Sequence, residues 1–389
     1  MKKILFLILF ILPLKIFSQD SIRLLNINII DAIKISKTNH KPILFMCYAS
    51  WCSHCNKMKA EVFKDTTVAH FFNSNFTCAG MDMEKGEGPK WYQKLRIRNY
   101  PTFLFLDTTG NIIYRIGGEF TPQNFLQEAK NSLIQKNQLP FIKQQFENDI
   151  SNPDKCLAYI LALRKGDVDG AEPAKKYLAT QTNEQLLSAI NWRIIANGIN
   201  DINSRELKYV IAHQKEFAEL TSTYRVERKL LYSVYELLEP MVKNKDTVNY
   251  FQYKILAANM HNTRIDSLVF TYDLTITEAT KNWNLYKSTA VENVTKYISK
   301  DYFTINKIAK NFIQNIDDKN ALQNANEWIS LSLKTKEEYD TYVIQAKLYK
   351  KLNDKKLAIA AAENAKNLAL KYKWDDKEAQ SIIDELNKN

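Results

Sequence analysis

The sequence predicts an α/β domain with a central mixed sheet, followed by an all-α domain of helical-repeat character. Three observations predict this: short apolar runs alternate with helical patterns early in the chain, glycine and proline are concentrated there, and both become rare later. Six of the nine glycines lie between residues 22 and 120, the last glycine is Gly198, and the last proline is Pro240. Because strand-rich folds need such residues in their turns, the long stretch without them favours packed helices.

Length and composition restrict the classes of protein to consider. A chain of 389 residues suits two or three domains, and 45% hydrophobic with 25% charged residues is a globular composition. The net charge of +11 comes from lysines that alternate with acidic residues, which is typical of solvated faces. No nucleic-acid partner is therefore predicted. Five cysteines are too few for a disulfide-stapled scaffold, so a packed core must stabilise the fold.

The N-terminus predicts export. Residues 1–19 combine two early lysines with an unbroken apolar run, Ile4–Leu12, and end in a small polar pair, Ser18–Gln19. Nine apolar residues do not span a bilayer, which needs about 20, so we interpret the segment as a cleavable signal peptide; an uncleaved anchor is the alternative. Cleavage would leave a net charge of 11 − 3 = +8 on an exported protein, periplasmic or elsewhere in the cell envelope.

Alternating patterns predict that residues 22–137 form the α/β domain. Four apolar runs are predicted as strands: Pro42–Tyr48, Phe76–Asp82, Thr102–Asp107 and Ile112–Ile116. Four stretches are predicted as helices: His54–Phe63, Thr67–Asn73, Trp91–Leu95 and Thr121–Gln135. Asp65 and Thr121 are placed to cap the second and the fourth helix. The first strand is continuously apolar, as when both faces are buried, and the turn at Gly110 predicts an antiparallel edge hairpin.

Cys52 and Cys55 lie at the junction between the first predicted strand and the helix that follows it. Unpaired backbone N–H groups and the positive end of the helix dipole stabilise an anion at that point. Because the thiolate is the reactive form of cysteine, Cys52 is the predicted nucleophile. Cys55, one helical turn further on, can resolve a mixed disulfide formed on Cys52.

A Cys-x-x-Cys pair is also compatible with a structural zinc site or with a purely structural disulfide. A structural zinc site needs two further ligands of suitable spacing, and the sequence has no second Cys-x-x-Cys and no close histidine pair, so no metal is predicted. A purely structural disulfide would constrain the unfolded chain little, because its loop is short. Of the other cysteines, Cys47 and Cys78 are predicted to be small buried side chains within strands, and Cys156 lies in the helical part.

Pro101 stands directly before a predicted central strand. A proline at such a place is tolerated only where it serves a turn, and a cis peptide bond before the proline is the usual form of that turn.

Over residues 24–135 the sequence resembles the thioredoxin superfamily. The matching segments are ILFMCYASWC, SHC, FTCAGMDME and YPTFLFLD, together with Gly110 and Gly117–Gly118. The resemblance implies an active-site tryptophan, an attacking cysteine, a resolving cysteine and a cis-proline, which map to Trp51, Cys52, Cys55 and Pro101. It implies no cofactor. It also implies a groove for an extended peptide, with these lining residues: Tyr100, Pro101, Thr102 and Gly117.

Two departures from the thioredoxin pattern concern redox tuning. Thioredoxins carry a buried aspartate six residues before the attacking cysteine, and Met46 stands there in this chain, so that route for deprotonating Cys55 is missing. Ser53 and His54 replace the usual Gly-Pro between the cysteines. An imidazole beside Cys52 stabilises the thiolate and makes the disulfide more oxidising, as in the oxidising and isomerising members of the superfamily.

Residues 140–389 are predicted to be all-α, with the clearest internal pattern at 305–371. The spacing there resembles a tetratricopeptide repeat of about 34 residues, at these positions: Tyr342, Ala346, Tyr349, Asn353, Ala358, Ala362 and Ala365. The pair Ile305–Ile316 and Leu322–Leu333 looks like a degenerate copy. The tandem order resembles exported bacterial proteins that join a thioredoxin-like to a tetratricopeptide-like domain, which implies a surface for a protein partner or client.

Together these features predict a thiol–disulfide oxidoreductase of the cell envelope that exchanges disulfides with protein clients. A membrane or envelope redox partner would recycle it. The sequence leaves open whether the protein acts as a reductase, an isomerase or an oxidase. The alternative is a non-catalytic scaffold that binds peptides through the same fold. The presence of both cysteines favours the enzyme, because binding alone requires neither.

The reduction potential of the Cys52–Cys55 pair is expected to be intermediate. The missing aspartate and the presence of His54 act in opposite directions, so we predict a value between those of a strong reductant, about −270 mV, and a strong oxidant, about −120 mV. Equilibration with glutathione buffers measures it. A value at either extreme would contradict the prediction.

Overall fold

The computed structural model describes residues 21–388, so the predicted signal peptide at 1–19 lies outside the described residues. A five-stranded mixed sheet with flanking helices is followed by helices alone. This confirms the predicted fold class of an α/β domain and an all-α region.

The sheet is built from five short strands: β1 (Leu25–Asn26), β2 (Ile43–Tyr48), β3 (Thr77–Asp82), β4 (Thr102–Leu106) and β5 (Ile112–Gly117). Their order is β1-β3-β2-β4-β5. β3 runs parallel to β1 and β2, and β4 runs antiparallel to β2 and β5. The edge hairpin predicted at Gly110 is therefore confirmed. Strand β1 was not predicted from the sequence.

Five helices accompany the sheet: α1 (Ile29–Asn39), α2 (Ser53–Lys57), α3 (Thr66–Asn75), α4 (Gly88–Lys94) and α5 (Pro122–Ser132). A π-helical turn, Met58–Val62, follows α2 directly, and a 3₁₀ turn, Gln135–Asn137, follows α5. The predicted caps are confirmed: the Asp65 side chain accepts from the N–H of Val68, and Thr121 does the same for Asn124.

Two apolar clusters cover the two faces of the sheet, because successive residues of a strand point to opposite sides. On β2, Leu44 and Met46 pack into the cluster that includes the phenylalanines of α3 and α5. Phe45 and Cys47 pack into the opposite cluster, which includes residues of α1 and α4. β2 is thus buried on both faces, as its unbroken apolar sequence predicts.

The chain continues with helices only, and it divides into two compact units, of which the first ends at Thr221 and the second begins at Ser222. The first unit also holds α6 (Leu139–Glu147), α7 (Pro153–Lys165), α8 (Ala171–Leu178), α9 (Asn183–Leu186), α10 (Ala189–Gly198), α11 (Arg205–Ala212) and α12 (Gln214–Leu220). The domain boundary predicted from sequence, between 137 and 140, stays a prediction.

The second unit consists of α13 (Thr223–Lys243), α14 (Thr247–Tyr253), α15 (Ile255–Ala258), α16 (Thr263–Ala279), α17 (Trp283–Tyr297), α18 (Tyr302–Asn315), α19 (Lys319–Thr335), α20 (Tyr339–Lys351), α21 (Lys355–Tyr372) and α22 (Lys377–Lys388). Ala358, Ala362 and Ala365 of α21 are fully buried, as their spacing predicts. The tetratricopeptide type of this unit stays a prediction. Within residues 21–388, no helix combines the length and the apolar sequence that crossing a bilayer requires.

A buried arginine joins the sheet to the first all-helical hairpin. Arg115 lies on β5 with only 4% of its surface exposed. Its guanidinium donates to the carbonyl of Gly166, after α7, at 2.6 Å, and to the carbonyls of Leu95 and Arg96 at 2.7 and 2.9 Å. Three carbonyl partners satisfy the buried charge, so this single side chain holds three segments of the first unit together.

Replacing Arg115 with methionine should destabilise the sheet. The substitution keeps an unbranched side chain but leaves three carbonyls without their donor, so the loss should be about 3 kcal/mol. Native-state hydrogen exchange of β4 and β5 in the full chain measures it. The matched control is Arg23→Met at an exposed arginine, which should cost less than about 0.5 kcal/mol. Equal losses in both variants would contradict the assigned role.

Candidate functional site

Cys52 and Cys55 form a disulfide at the start of α2, with their Cα atoms 5.3 Å apart. Cys52 is the N-cap residue of the helix: its sulfur accepts a hydrogen bond from the backbone N–H of Cys55, with an N···Sγ distance of 3.1 Å. Both cysteines are buried, Cys55 completely and Cys52 with 4% of its surface exposed, but only Cys52 lines a cavity. Of the two sulfurs, that of Cys52 is therefore the one beside the cavity.

The turn between β2 and α2 is fixed by Asp82, the last residue of β3. One carboxylate oxygen accepts from the N–H of Ser50 at 3.0 Å, and the other accepts from the N–H of Glu84 at the same distance. Because β2 and β3 are parallel neighbours, both ends reach the same edge of the sheet. Asp82 thus holds the strand ends that carry the cysteine turn.

The helix after the cysteines is longer than α2 alone. Five residues of α-helix continue into five residues of π-helix, whose buried side chains Met58 and Val62 anchor it in the core. π-Helical turns are frequently found at functional sites. The N–H of Phe120 points at the Met58 sulfur, with an N···Sδ distance of 3.3 Å, which links this helix to the loop after β5.

The peptide bond between Tyr100 and Pro101 is cis, as the sequence predicts. The Pro101 carbonyl accepts from the N–H of Gly118 at 2.8 Å, and the Thr102 hydroxyl donates to the Asn99 carbonyl at 2.8 Å. Gly118 has φ +95, a conformation that side chains rarely adopt, so glycine is required there. These contacts fix the proline loop against the end of β5.

A cavity of about 650 Å³ opens beside Cys52, between the cysteine turn and the segment around α4. Its walls are formed by the following residues: Trp51, Cys52, Ser53, His54, Met83, Glu84, Pro89, Tyr92, Gln93, Arg98, Asn99 and Tyr100. Pro101 and Thr102 do not line this cavity. Gly117 also lies elsewhere, opposite Thr102 in the sheet, where a methyl group on it would overlap the Asp167 carboxylate.

Three aromatic side chains line the cavity, and Tyr100 contacts the other two. The Trp51 ring, which is 70% exposed, stands edge-on to Tyr100 with centroids 6.1 Å apart, and Tyr92 is 6.0 Å from Tyr100 on another side. The Trp51 indole N–H donates to Glu84 at 2.6 Å, which fixes the exposed ring. Burial, with a contribution from Glu84, raises the pKa of Tyr100 to about 12, so its hydroxyl is neutral at physiological pH.

His54 contacts Glu119, a residue that was not among the predicted site residues. Its Nδ1 lies 2.7 Å from Oε2 of Glu119, and Oε1 of the same carboxylate pairs with Lys57. Hydrogen bonds from Lys57 and His54 lower the pKa of Glu119, while the bond to Glu119 raises the pKa of Lys57. His54 and Glu119 are 65 residues apart, so no local spacing signals the contact.

The space beneath the disulfide is apolar. Met46 is fully buried on β2 opposite Gly80, where an added Cβ would come within 2.9 Å of the Met46 carbonyl oxygen. Cys47 and Cys78 are buried free thiols, as predicted, and burial raises the pKa of each to about 12. In the strand register Cys47 lies opposite Met81 and Cys78 opposite Leu44, so they do not face each other.

Among the described residues 21–388, no group of three or more histidine, cysteine or acidic side chains is arranged to hold a metal ion. The structure brings Trp51, Cys52, Ser53, His54 and Tyr100 together around one cavity. The roles predicted for them, and for the groove residues outside this cavity, stay predictions. The chemistry available at the cavity is that of a disulfide whose first cysteine forms part of the cavity wall.

Comparison with known proteins agrees with this geometry. A family model described as a thioredoxin-like domain matches residues 30–132. Residues 30–132 are a thioredoxin-like domain. The match covers the sheet from β2 to β5 and the cysteine pair, whereas the helices beyond α5 lie outside it.

Two curated proteins that are similar to the thioredoxin-like domain are named as disulfide isomerases. Protein disulfide isomerase-like 1-1 of Arabidopsis thaliana is 26% identical over 125 residues, which are 32% of this chain and 21% of that protein. Protein disulfide-isomerase A5 of Bos taurus is 27% identical over 111 residues, 28% of this chain and 20% of that protein. The chain therefore spans about one fifth of the length of the curated relatives it matches.

One solved structure is also similar to the thioredoxin-like domain. It is the solution structure of a proposed disulphide-isomerase from Bacteroides thetaiotaomicron, which is 33% identical to the matched part. The match covers 29% of this chain and 94% of the other, with a TM-score of 0.28.

Selective alkylation should separate Cys52 from the other free thiols once the disulfide is reduced. Cys47, Cys78 and Cys156 are buried and each has a pKa raised to about 12, so they stay protonated and unlabelled from pH 7 to pH 9. Cys52, at the cavity, should react with iodoacetamide under the same conditions. Peptide mass spectrometry measures the labelling, with urea-unfolded protein as the control in which all five cysteines react. Labelling of the three buried thiols at the rate of Cys52 would contradict this assignment.

Proposed function

We propose that the protein is a thiol–disulfide oxidoreductase that exchanges disulfides with cysteine pairs of other proteins. The observation that carries the proposal is the Cys52–Cys55 disulfide at a helix N-terminus, with Cys52 facing an open cavity and Cys55 buried behind it. A structural disulfide gains nothing from an accessible sulfur, whereas an exchanging one requires it.

The exchange starts from the oxidised pair described above. A substrate thiolate attacks the sulfur of Cys52, the bond between the two cysteines breaks, and Cys55 leaves as a thiolate that takes up a proton. The second substrate thiolate then attacks the substrate sulfur in the mixed disulfide and expels Cys52 as a thiolate. Two electrons pass from the substrate dithiol to the protein, which ends reduced; the reverse sequence reduces a substrate disulfide.

The helix N-terminus makes Cys52 a good leaving and attacking group. The N–H of Cys55 already points at its sulfur, so a thiolate formed there keeps a hydrogen-bond donor and gains the helix dipole. Both effects favour the thiolate over the thiol. The fully buried Cys55 lacks the carboxylate that thioredoxins carry at the Met46 position, so its proton has no acidic partner on β2.

A polypeptide is the proposed substrate class. The aromatic walls of the cavity, Trp51, Tyr92 and Tyr100, suit the apolar side chains that flank a cysteine in a protein, and the cavity volume of about 650 Å³ exceeds that of a single side chain. The names of the curated relatives, protein disulfide isomerases, support the same class. The measured potential would decide between reduction, isomerisation and oxidation.

The cell envelope is the proposed compartment. Residues 1–19 support it through their signal-like composition, and an exported redox protein needs an envelope or membrane partner to restore its working redox state. We propose that the tetratricopeptide-like helices of the second unit bind the client or that partner, because helical repeats expose extended binding surfaces.

Replacing Cys55 with alanine should trap covalent complexes. Without its resolving thiol, the Cys52 mixed disulfide with a client persists, so non-reducing gels of cells that express the variant should show adducts that disappear on reduction. Cys156→Ala, at a buried cysteine away from the cavity, is the matched control and should form none. A Cys55→Ala protein free of adducts, in cells where Cys52 is alkylatable, would favour a non-catalytic scaffold.

A further inference from the structure

Glu119 is a carboxylate outside the Cys-x-x-Cys motif that contacts the residue between the two cysteines. Its Oε2 lies 2.7 Å from Nδ1 of His54, and its Oε1 lies 2.5 Å from Nζ of Lys57. His54 and Lys57 are three residues apart and therefore share one face of α2. One carboxylate thus bridges two basic side chains on the active-site helix.

The backbone on both sides of Glu119 is held in place. Before it, the N–H of Gly118 donates to the carbonyl of the cis-proline, Pro101. After it, the N–H of Phe120 contacts the sulfur of Met58, and Thr121 caps α5. The loop is therefore tied to the proline loop and to the helix that follows Cys55. The fold itself sets the position of the carboxylate.

Charged groups surround the His54 ring. Lys57 and His54 hold the pKa of Glu119 below its ordinary value, so the carboxylate is ionised at neutral pH. A carboxylate that accepts the N–H of Nδ1 fixes the tautomer and the orientation of an imidazole ring. The other charged groups in this region are Glu61, which interacts with Lys57, and Glu84 and Arg98 in the cavity that His54 lines.

We infer that Glu119 is a positioning residue of the redox site: it holds the His54 ring at the cavity that Cys52 also lines, so that the ring stabilises the Cys52 thiolate and hence the reduced pair. This inference deepens the proposed function and rests on it. The effect of Glu119 on Cys52 passes through His54.

The sign of the effect distinguishes this role from a plain charge effect. Glu119→Gln keeps the shape of the side chain and removes its charge. If Glu119 acted only as a nearby negative charge, its removal would favour the thiolate and the reduced pair. If it acts through His54, its removal releases the ring from its position at the cavity and disfavours the reduced pair. Glu61→Gln, an exposed carboxylate on the same helical segment without contact to His54, supplies the plain charge effect.

The test is the equilibrium of the full chain with glutathione: protein disulfide and two glutathione thiols give protein dithiol and one glutathione disulfide. The equilibrium constant for reduction of the pair should fall about threefold in Glu119→Gln, the size expected for an exposed charge contact. It should stay level or rise slightly in Glu61→Gln. In a His54→Ala background, Glu119→Gln should no longer lower it.

A second measurement does not depend on the redox reaction. NMR relaxation of the His54 ring in the oxidised protein should show a more mobile ring in Glu119→Gln and an unchanged ring in Glu61→Gln. The inference would be overturned if Glu119→Gln gave the same results as Glu61→Gln in both measurements. It would also be overturned if Glu119→Gln still lowered the equilibrium constant for reduction in the His54→Ala background. If the wild-type pair does not equilibrate with glutathione at all, the proposed function fails instead.

Discussion

The site depends on one hydrogen bond, from the backbone N–H of Cys55 to the sulfur of Cys52. The first N–H groups of a helix have no partner within the helix and need an acceptor. Serine, threonine, asparagine and aspartate usually supply one at the N-cap, and Cys52 occupies that position here. The helix thus satisfies its own N-terminus with a sulfur of the disulfide, so the same hydrogen bond that caps the helix also acts on the proposed reactive atom.

The rest of the thioredoxin-like domain keeps that sulfur in place beside the cavity. β2 is buried on both faces and ends at the cysteine turn, and Asp82 fixes the turn through two backbone N–H groups. The loop after β5 reaches the helix from the other side, through Phe120 and Glu119. Cys55 has apolar surroundings on the β2 side, with Met46 packed opposite Gly80, whereas the polar contact between His54 and Glu119 lies at the exposed side of the helix.

The sequence predicted those features that depend on local chemistry. The four main strands, the caps Asp65 and Thr121, and the cis bond before Pro101 follow from patterns within a few residues, and the structure contains them. Contacts between residues that are far apart in the sequence have no such local pattern. Glu119 meets His54 across 65 residues and Arg115 meets Gly166 across 51, and neither a carboxylate after a glycine pair nor an arginine within a strand specifies its partner. β1, only two residues long, is too short for a periodic signal.

The pKa of the Cys52 thiol tests the central claim most directly. In the reduced Cys55→Ala variant, the ultraviolet absorbance of the thiolate can be followed against pH, with the double variant Cys52→Ala/Cys55→Ala as the blank. The helix N-terminus should bring this pKa into the range of about 3.5–7.5. A value near that of a free cysteine, about 8.5, would contradict the account.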